Sequence, residues 1–178
     1  MTRRRVTREV LDEFMEAIGR IARRPLTIYF AGGSTAVLLG FRDGTIDIDL
    51  AGDLEPIYAE IPRIKERLRV NVETAKPTAF VPSLEGEASR HLFIRAAGKA
   101  TFLHFDPYAQ AFSKIVRGHV TDLADAESLM AAGLVDPQRL LRLVEKVTDR
   151  DFARYTRLTR VSVEAAVESF VRDRLRKG

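Results

Sequence analysis

The sequence contains no cysteine. Disulfide staples, thiolate metal sites and a cysteine nucleophile are therefore excluded, and any metal must be held by oxygen or by the 3 histidines. Those histidines, His91, His104 and His119, are too dispersed to form a recognisable metal set, which leaves a hard cation on oxygen ligands. No stretch approaches the roughly 18–20 consecutive apolar residues of a membrane-spanning helix. The basic start Arg3-Arg4-Arg5 is not followed by the apolar segment of a secretory leader. No membrane partner is expected, and the expected address is cytoplasmic. Lysine is scarce as well: of 29 basic residues 6 are lysine and 23 arginine, the arginines gathering at 3–24 and 139–177. Arginine forks match phosphates in pairs of hydrogen bonds, but solvated helix faces rich in arginine give the same count, so charge alone does not choose a nucleic acid.

What is present is a chain of 178 residues, 46% apolar, long enough for one domain with a real core. Thr7 is placed to cap an amphipathic helix carrying Val10, Leu11, Phe14, Ile18 and Ile21, which Arg23-Arg24-Pro25 would end. A β-rich run at 26–30 leads into Ala31-Gly32-Gly33 and a short apolar helix from Ser34 to Leu39. Residues 45–50 alternate with period two, so Ile46, Ile48 and Leu50 are expected to face the core and Asp47 and Asp49 the other way. Residues 54–69 read as one helix despite Pro56 and Pro62, 70–73 as a strand, 76–89 as loop, and 91–94 with 101–105 as a hairpin around Gly98-Lys99. Helices are expected near 107–117, 121–132, 137–148 and 161–176, with Asp106 as N-cap and Pro107 at the first position. The layout is α+β: a small mixed sheet flanked by helices over 1–106, then a helical part over 107–178 packed on it as one compact unit.

The chemistry concentrates in two neighbouring segments. Asp47 and Asp49 leave the same face of a strand with Cα atoms about 7 Å apart, a spacing at which two carboxylates can share a divalent ion. Upstream, Gly32-Gly33 allows a phosphate close to the backbone, and a helix starting at Ser34 would offer unpaired N–H groups and a hydroxyl, although Ser34 serves equally as a plain cap. Each segment alone is common; together, strand, Gly-Gly-Ser, helix and Asp-x-Asp describe a metal-bound triphosphate site. Further on, Lys114 and Arg117 sit at one helix end, and Asp122 and Asp125 lie one turn apart on the next. Those four also fit an ordinary helix corner in which Asp122 caps and pairs Lys114 or Arg117.

Gly32-Gly33-Ser34 followed by Asp47-Ile48-Asp49 resembles the signature of the polymerase-β-like nucleotidyltransferase superfamily. The series Phe105-Asp106-Pro107-Tyr108, Lys114 to His119, Thr121 to Asp125 and Gly133 to Pro137 is similar to the AbiEii and MenT group of toxin-like nucleotidyltransferases, over roughly residues 26–140. The resemblance implies that Asp47 and Asp49 bind Mg²⁺ or Mn²⁺, that Gly32, Gly33 and Ser34 hold the phosphates of a nucleoside triphosphate, and that Lys114, with Arg117 near it, neutralises phosphate charge. It also implies a further acidic residue, best matched by Asp122, with Glu73 ranked second and Asp125 a third choice because the interval after Lys114 is short. The implied reaction is transfer of a nucleotide from a triphosphate to an acceptor hydroxyl, with the 3′ end of tRNA as acceptor and a cognate antitoxin as partner. Nucleotidylylation of a protein or small molecule, or a non-catalytic nucleotide- or RNA-binding subunit, are the alternatives.

Overall fold

The computed structural model describes residues 3–52 and 54–177; Met1, Thr2, Asp53 and Gly178 lie outside the described residues. The chain divides into two compact units, Met1–Lys76 with His91–Phe105, and Pro77–Arg90 with Asp106–Gly178. Residues 77–90, placed with the αβ half by sequence, thus group with the helical unit.

In the first unit α1 (Arg8–Ile21) precedes β1 (Leu26–Phe30), α2 (Gly32–Leu38), β2 (Asp47–Gly52), α3 (Ile61–Leu68), β3 (Asn71–Thr74), β4 (Leu92–Ala97) and β5 (Ala100–His104). The strands form one mixed sheet in the order β3-β2-β1-β5-β4, so the fold is α+β as its alternating segments require. β1 runs antiparallel to β2 and parallel to β5, while β2 and β3 are parallel. One face carries Ile28 and Phe30, Ile48 and Leu50, and Phe102, all fully buried, and α1 adds Val10, Leu11, Phe14 and Ile18 to the same core. Phe30 stacks on Phe102 at 6.0 Å and meets the edge of Phe14 at 6.2 Å; truncating one such ring to alanine costs about 3–5 kcal/mol.

Several boundaries move for identifiable reasons. Ile46 lies before the strand begins and is 75% exposed, so only Ile48 and Leu50 of the expected trio enter the core. The single helix expected over 54–69 is a 3₁₀ turn, Glu55–Ile57, followed by α3 with Pro62 in its first turn. Proline has no N–H and a fixed φ, so it is tolerated at the start of a helix and prevents one from running through. Thr7 occupies the N-cap of α1, but its hydroxyl donates to Glu9 (2.6 Å) and makes no bond to the helix backbone.

The second unit contains α4 (Pro107–Arg117), α5 (Val120–Ala131), α6 (Pro137–Glu145), α7 (Asp149–Phe152) and α8 (Arg160–Lys177). α4 packs on α5 and α8, and α6 on α8. Val163, Val167 and Val171 recur every fourth residue on the buried face of α8. The Asp106 carboxylate accepts from Tyr108 N at 3.0 Å with Pro107 at the first helical position, as its sequence predicts. Gly118, at φ 69°, closes α4 in the left-handed conformation and lets α5 start two residues later. The 77–90 segment is tied in by the Tyr155 hydroxyl, whose single O–H is shared between the Thr78 and Val81 carbonyls at 2.7 and 2.8 Å. No helix of the described residues is long and apolar enough to cross a membrane.

Candidate functional site

In the αβ unit Asp47 and Asp49 project from the non-core face of β2, each half-buried. They are fixed from the side by the Gly32-Gly33-Ser34 segment. The helix begins at Gly32, two residues earlier than its sequence suggests, so Ser34 is an interior residue of the first turn and not its cap. Ser34 is fully buried, its hydroxyl accepts from Asp49 N at 3.2 Å, and the same oxygen lies 3.4 Å from the Asp47 carbonyl. The hydroxyl therefore clips α2 to the backbone of the acidic strand. Gly33 N donates to Asp49 Oδ2 at 3.3 Å, so this backbone amide already holds an anionic oxygen.

Both glycines are demanded by the packing. Gly32 has φ 55°, and a Cβ on it would overlap the Asp49 carboxylate; a Cβ on Gly33 would overlap the Thr45 side chain. The result is a cradle of backbone packed directly against the Asp49 carboxylate.

The neighbouring strand adds two groups. Parallel pairing sets Asn71 beside Asp47 and Glu73 beside Asp49. The Asn71 amide nitrogen donates to Asp47 Oδ1 at 2.8 Å and to Glu73 Oε1 at 2.7 Å. Glu73 thus joins the acidic pair at one end of the sheet. Asn71 is a member of this group that sequence reasoning missed. Its signal was available, since Asn71-Val72-Glu73 repeats the polar-apolar-polar alternation of Asp47-Ile48-Asp49, but its partner strand is set by non-local pairing.

Within the helical unit Lys114, Arg117, Asp122 and Asp125 form an ion-pair cluster. Lys114 is 5% exposed, and its ammonium lies 2.5 Å from Asp125 Oδ2 and 3.3 Å from Asp122 Oδ1. Arg117 Nε lies 3.3 Å from Asp122 Oδ2, and its guanidinium stacks over Phe80 at 5.0 Å. Asp122 and Asp125 are buried, so both carboxylates meet their counter-charges within the unit. His119 is the N-cap of α5 and makes no side-chain capping bond.

Among the described residues no three histidine, aspartate or glutamate side chains gather tightly enough to hold a metal ion together. What fits a hard cation is the oxygen chemistry of the Asp47–Asp49 pair, with Glu73 in register beside Asp49. Family models, curated proteins and solved structures were all compared with this chain, and none matches.

Proposed function

We propose that the chain is a Mg²⁺-dependent nucleotidyltransferase, moving a nucleoside monophosphate from a triphosphate to an acceptor hydroxyl. The observation that carries the reading is the cradle: a Gly-Gly turn packed against the Asp49 carboxylate, with Asp47 on the same strand face, and a Gly33 N–H that already binds an anionic oxygen. Asp47 and Asp49 would hold the divalent ion, which supplies Lewis acidity at the reacting phosphate and neutralises developing charge. Gly33 N–H is the donor suited to a phosphate oxygen, replacing its bond to Asp49. Ser34, consumed by the β2 backbone, acts by keeping the two aspartates at fixed spacing. Glu73 is the third carboxylate in this reading, in preference to Asp122 and Asp125, because it shares the strand register of Asp49.

Lys114 enters as the centre of an ion-pair cluster, and the reading does not need its charge on phosphate. The acceptor implied by the resemblance is the 3′ end of tRNA, with growth arrest as the consequence and an antitoxin as partner. The arginine-rich segments at 3–24 and 139–177 are suited to an RNA backbone.

The test incubates the protein and its Asp49→Ala variant with Mg²⁺, each labelled nucleoside triphosphate and total tRNA. Label on tRNA that requires Asp49 supports the reading and names the nucleotide. Label on protein redirects it to a protein acceptor; bound nucleotide without transfer, across RNA, protein and small hydroxyl acceptors, overturns the catalytic reading.

A further inference from the structure

The Asn71 carboxamide lies between two carboxylates of the same unit. β3 pairs with β2 in parallel, which sets Asn71 directly beside Asp47 and two residues before Glu73 on one sheet face. The side chain is buried, with only 8% of the residue exposed, so the amide is not free to turn into solvent. Its nitrogen stands 2.8 Å from Asp47 Oδ1 and 2.7 Å from Glu73 Oε1. Only the NH₂ end suits that position, because the amide oxygen would face two acceptors. Each of its two N–H groups therefore serves one carboxylate, and both bonds are the short kind expected to an ionised acceptor.

We propose that Asn71 is a positioning residue that holds the place of the divalent cation, its amide hydrogens keeping Asp47 and Glu73 together until the ion neutralises them. The inference rests on the metal reading given above. Like charges on adjacent strands repel, and a side-chain amide offers two partial positive charges at the point of repulsion without adding net charge. A lysine there would neutralise the pair for good and leave a cation little to gain. A leucine would leave the carboxylates unshielded. The amide takes one oxygen of each carboxylate, so an ion that draws those oxygens to itself must displace the amide's hydrogen bonds. The ion-free Asp47–Glu73 pair is thus held by an amide that brings no net charge of its own.

The consequence follows from linkage. A group that stabilises the ion-free state more than the ion-bound state lowers the affinity for the ion. Replacing Asn71 by leucine should destabilise the ion-free protein and tighten the ion.

The experiment measures Mn²⁺ binding to the intact chain by electron paramagnetic resonance, together with Tm with and without Mn²⁺, for the wild type, Asp49→Asn, Asn71→Leu and the smaller Asn71→Ala. Wild type is expected to bind Mn²⁺ and Asp49→Asn to lose it. Both Asn71 variants are expected to bind Mn²⁺ roughly three- to tenfold more tightly, and to show a larger rise in Tm on adding it. Equal or weaker Mn²⁺ binding by the Asn71 variants, or an equal loss of Tm with and without the ion, overturns the inference and leaves the metal reading standing. Absence of Asp49-dependent Mn²⁺ binding in the wild type overturns both.

Discussion

Two acidic clusters built from the same side chain are treated in opposite ways by this chain. In the helical unit Asp122 and Asp125 close around the ammonium of Lys114, with all three residues nearly sealed from water. In the αβ unit Asp47 and Glu73 are bridged by a neutral amide, and Asp47 and Asp49 remain half-buried on a sheet face. The first arrangement is electrically closed: taking it apart leaves a buried charge with no partner, and a new cation has nothing to offer it. The second keeps its two aspartates half-buried, within reach of solvent, as the proposed metal site requires. What separates the two cases is the residue between the carboxylates, an ammonium in one and an amide in the other.

The comparison can be tested at its widest point. Asp49→Ala should reduce nucleotide transfer by at least about 10³-fold with little change in Tm, measured by labelled transfer and thermal melting side by side. A large loss of stability would move this acidic strand into the structural class. Lys114→Met should do the reverse, costing about 3–5 kcal/mol of folding free energy in urea titrations because it strands Asp125 and leaves Asp122 to Arg117 alone. If the variant folds normally and only transfer is lost, the helical cluster belongs with the chemistry after all.

A third buried polar group calibrates what sealing costs. His104, 6% exposed and 3.3 Å from the Thr35 hydroxyl, has its imidazole pushed down to about 4, first by burial and second by the charge of Arg8. The unfolded chain takes up that proton near pH 6.5 and the folded chain only near 4, so stability is full above pH 6.5 and drains away as pH falls through this window. The loss amounts to about 3 kcal/mol. Denaturation at pH 7 and pH 4 should show it, and His104→Gln should flatten that part of the pH dependence. The smallest effect is expected at Ile46. Its exposure predicts a change within about 0.5 kcal/mol for Ile46→Ser, whereas Ile48→Ala, two residues on, should cost about 2–5 kcal/mol.

Much of the architecture was legible because it is encoded locally. The alternation through Ile48-Asp49-Leu50, the cap and proline at Asp106-Pro107, and the hairpin around Gly98 each carry their own signal over a few residues. Ile46 broke the alternation because a strand edge depends on where pairing starts, and pairing is not local. Ser34 was read as facing a ligand because the helix start was placed two residues late, and one turn of a helix decides whether a hydroxyl faces phosphate or backbone. The short helix α7, with its Thr148 and Asp151 capping box, fell in the gap between the helices expected at 137–148 and 161–176, although the Thr-x-x-Asp spacing was there to be read. Asn71 was missed for a different reason: its meaning lies wholly in which strand it neighbours.

The route of the chain carries one more consequence. It leaves the αβ unit after Lys76, spends fourteen residues with the helices, returns at His91 for the hairpin, and leaves again after Phe105. Neither unit is a continuous stretch of sequence. A chain cut at residue 106 would strip the helices of the segment that Tyr155 holds at Thr78 and Val81, and would leave that segment hanging from the sheet. Exchange of one unit intact would therefore need more than one breakpoint in the chain.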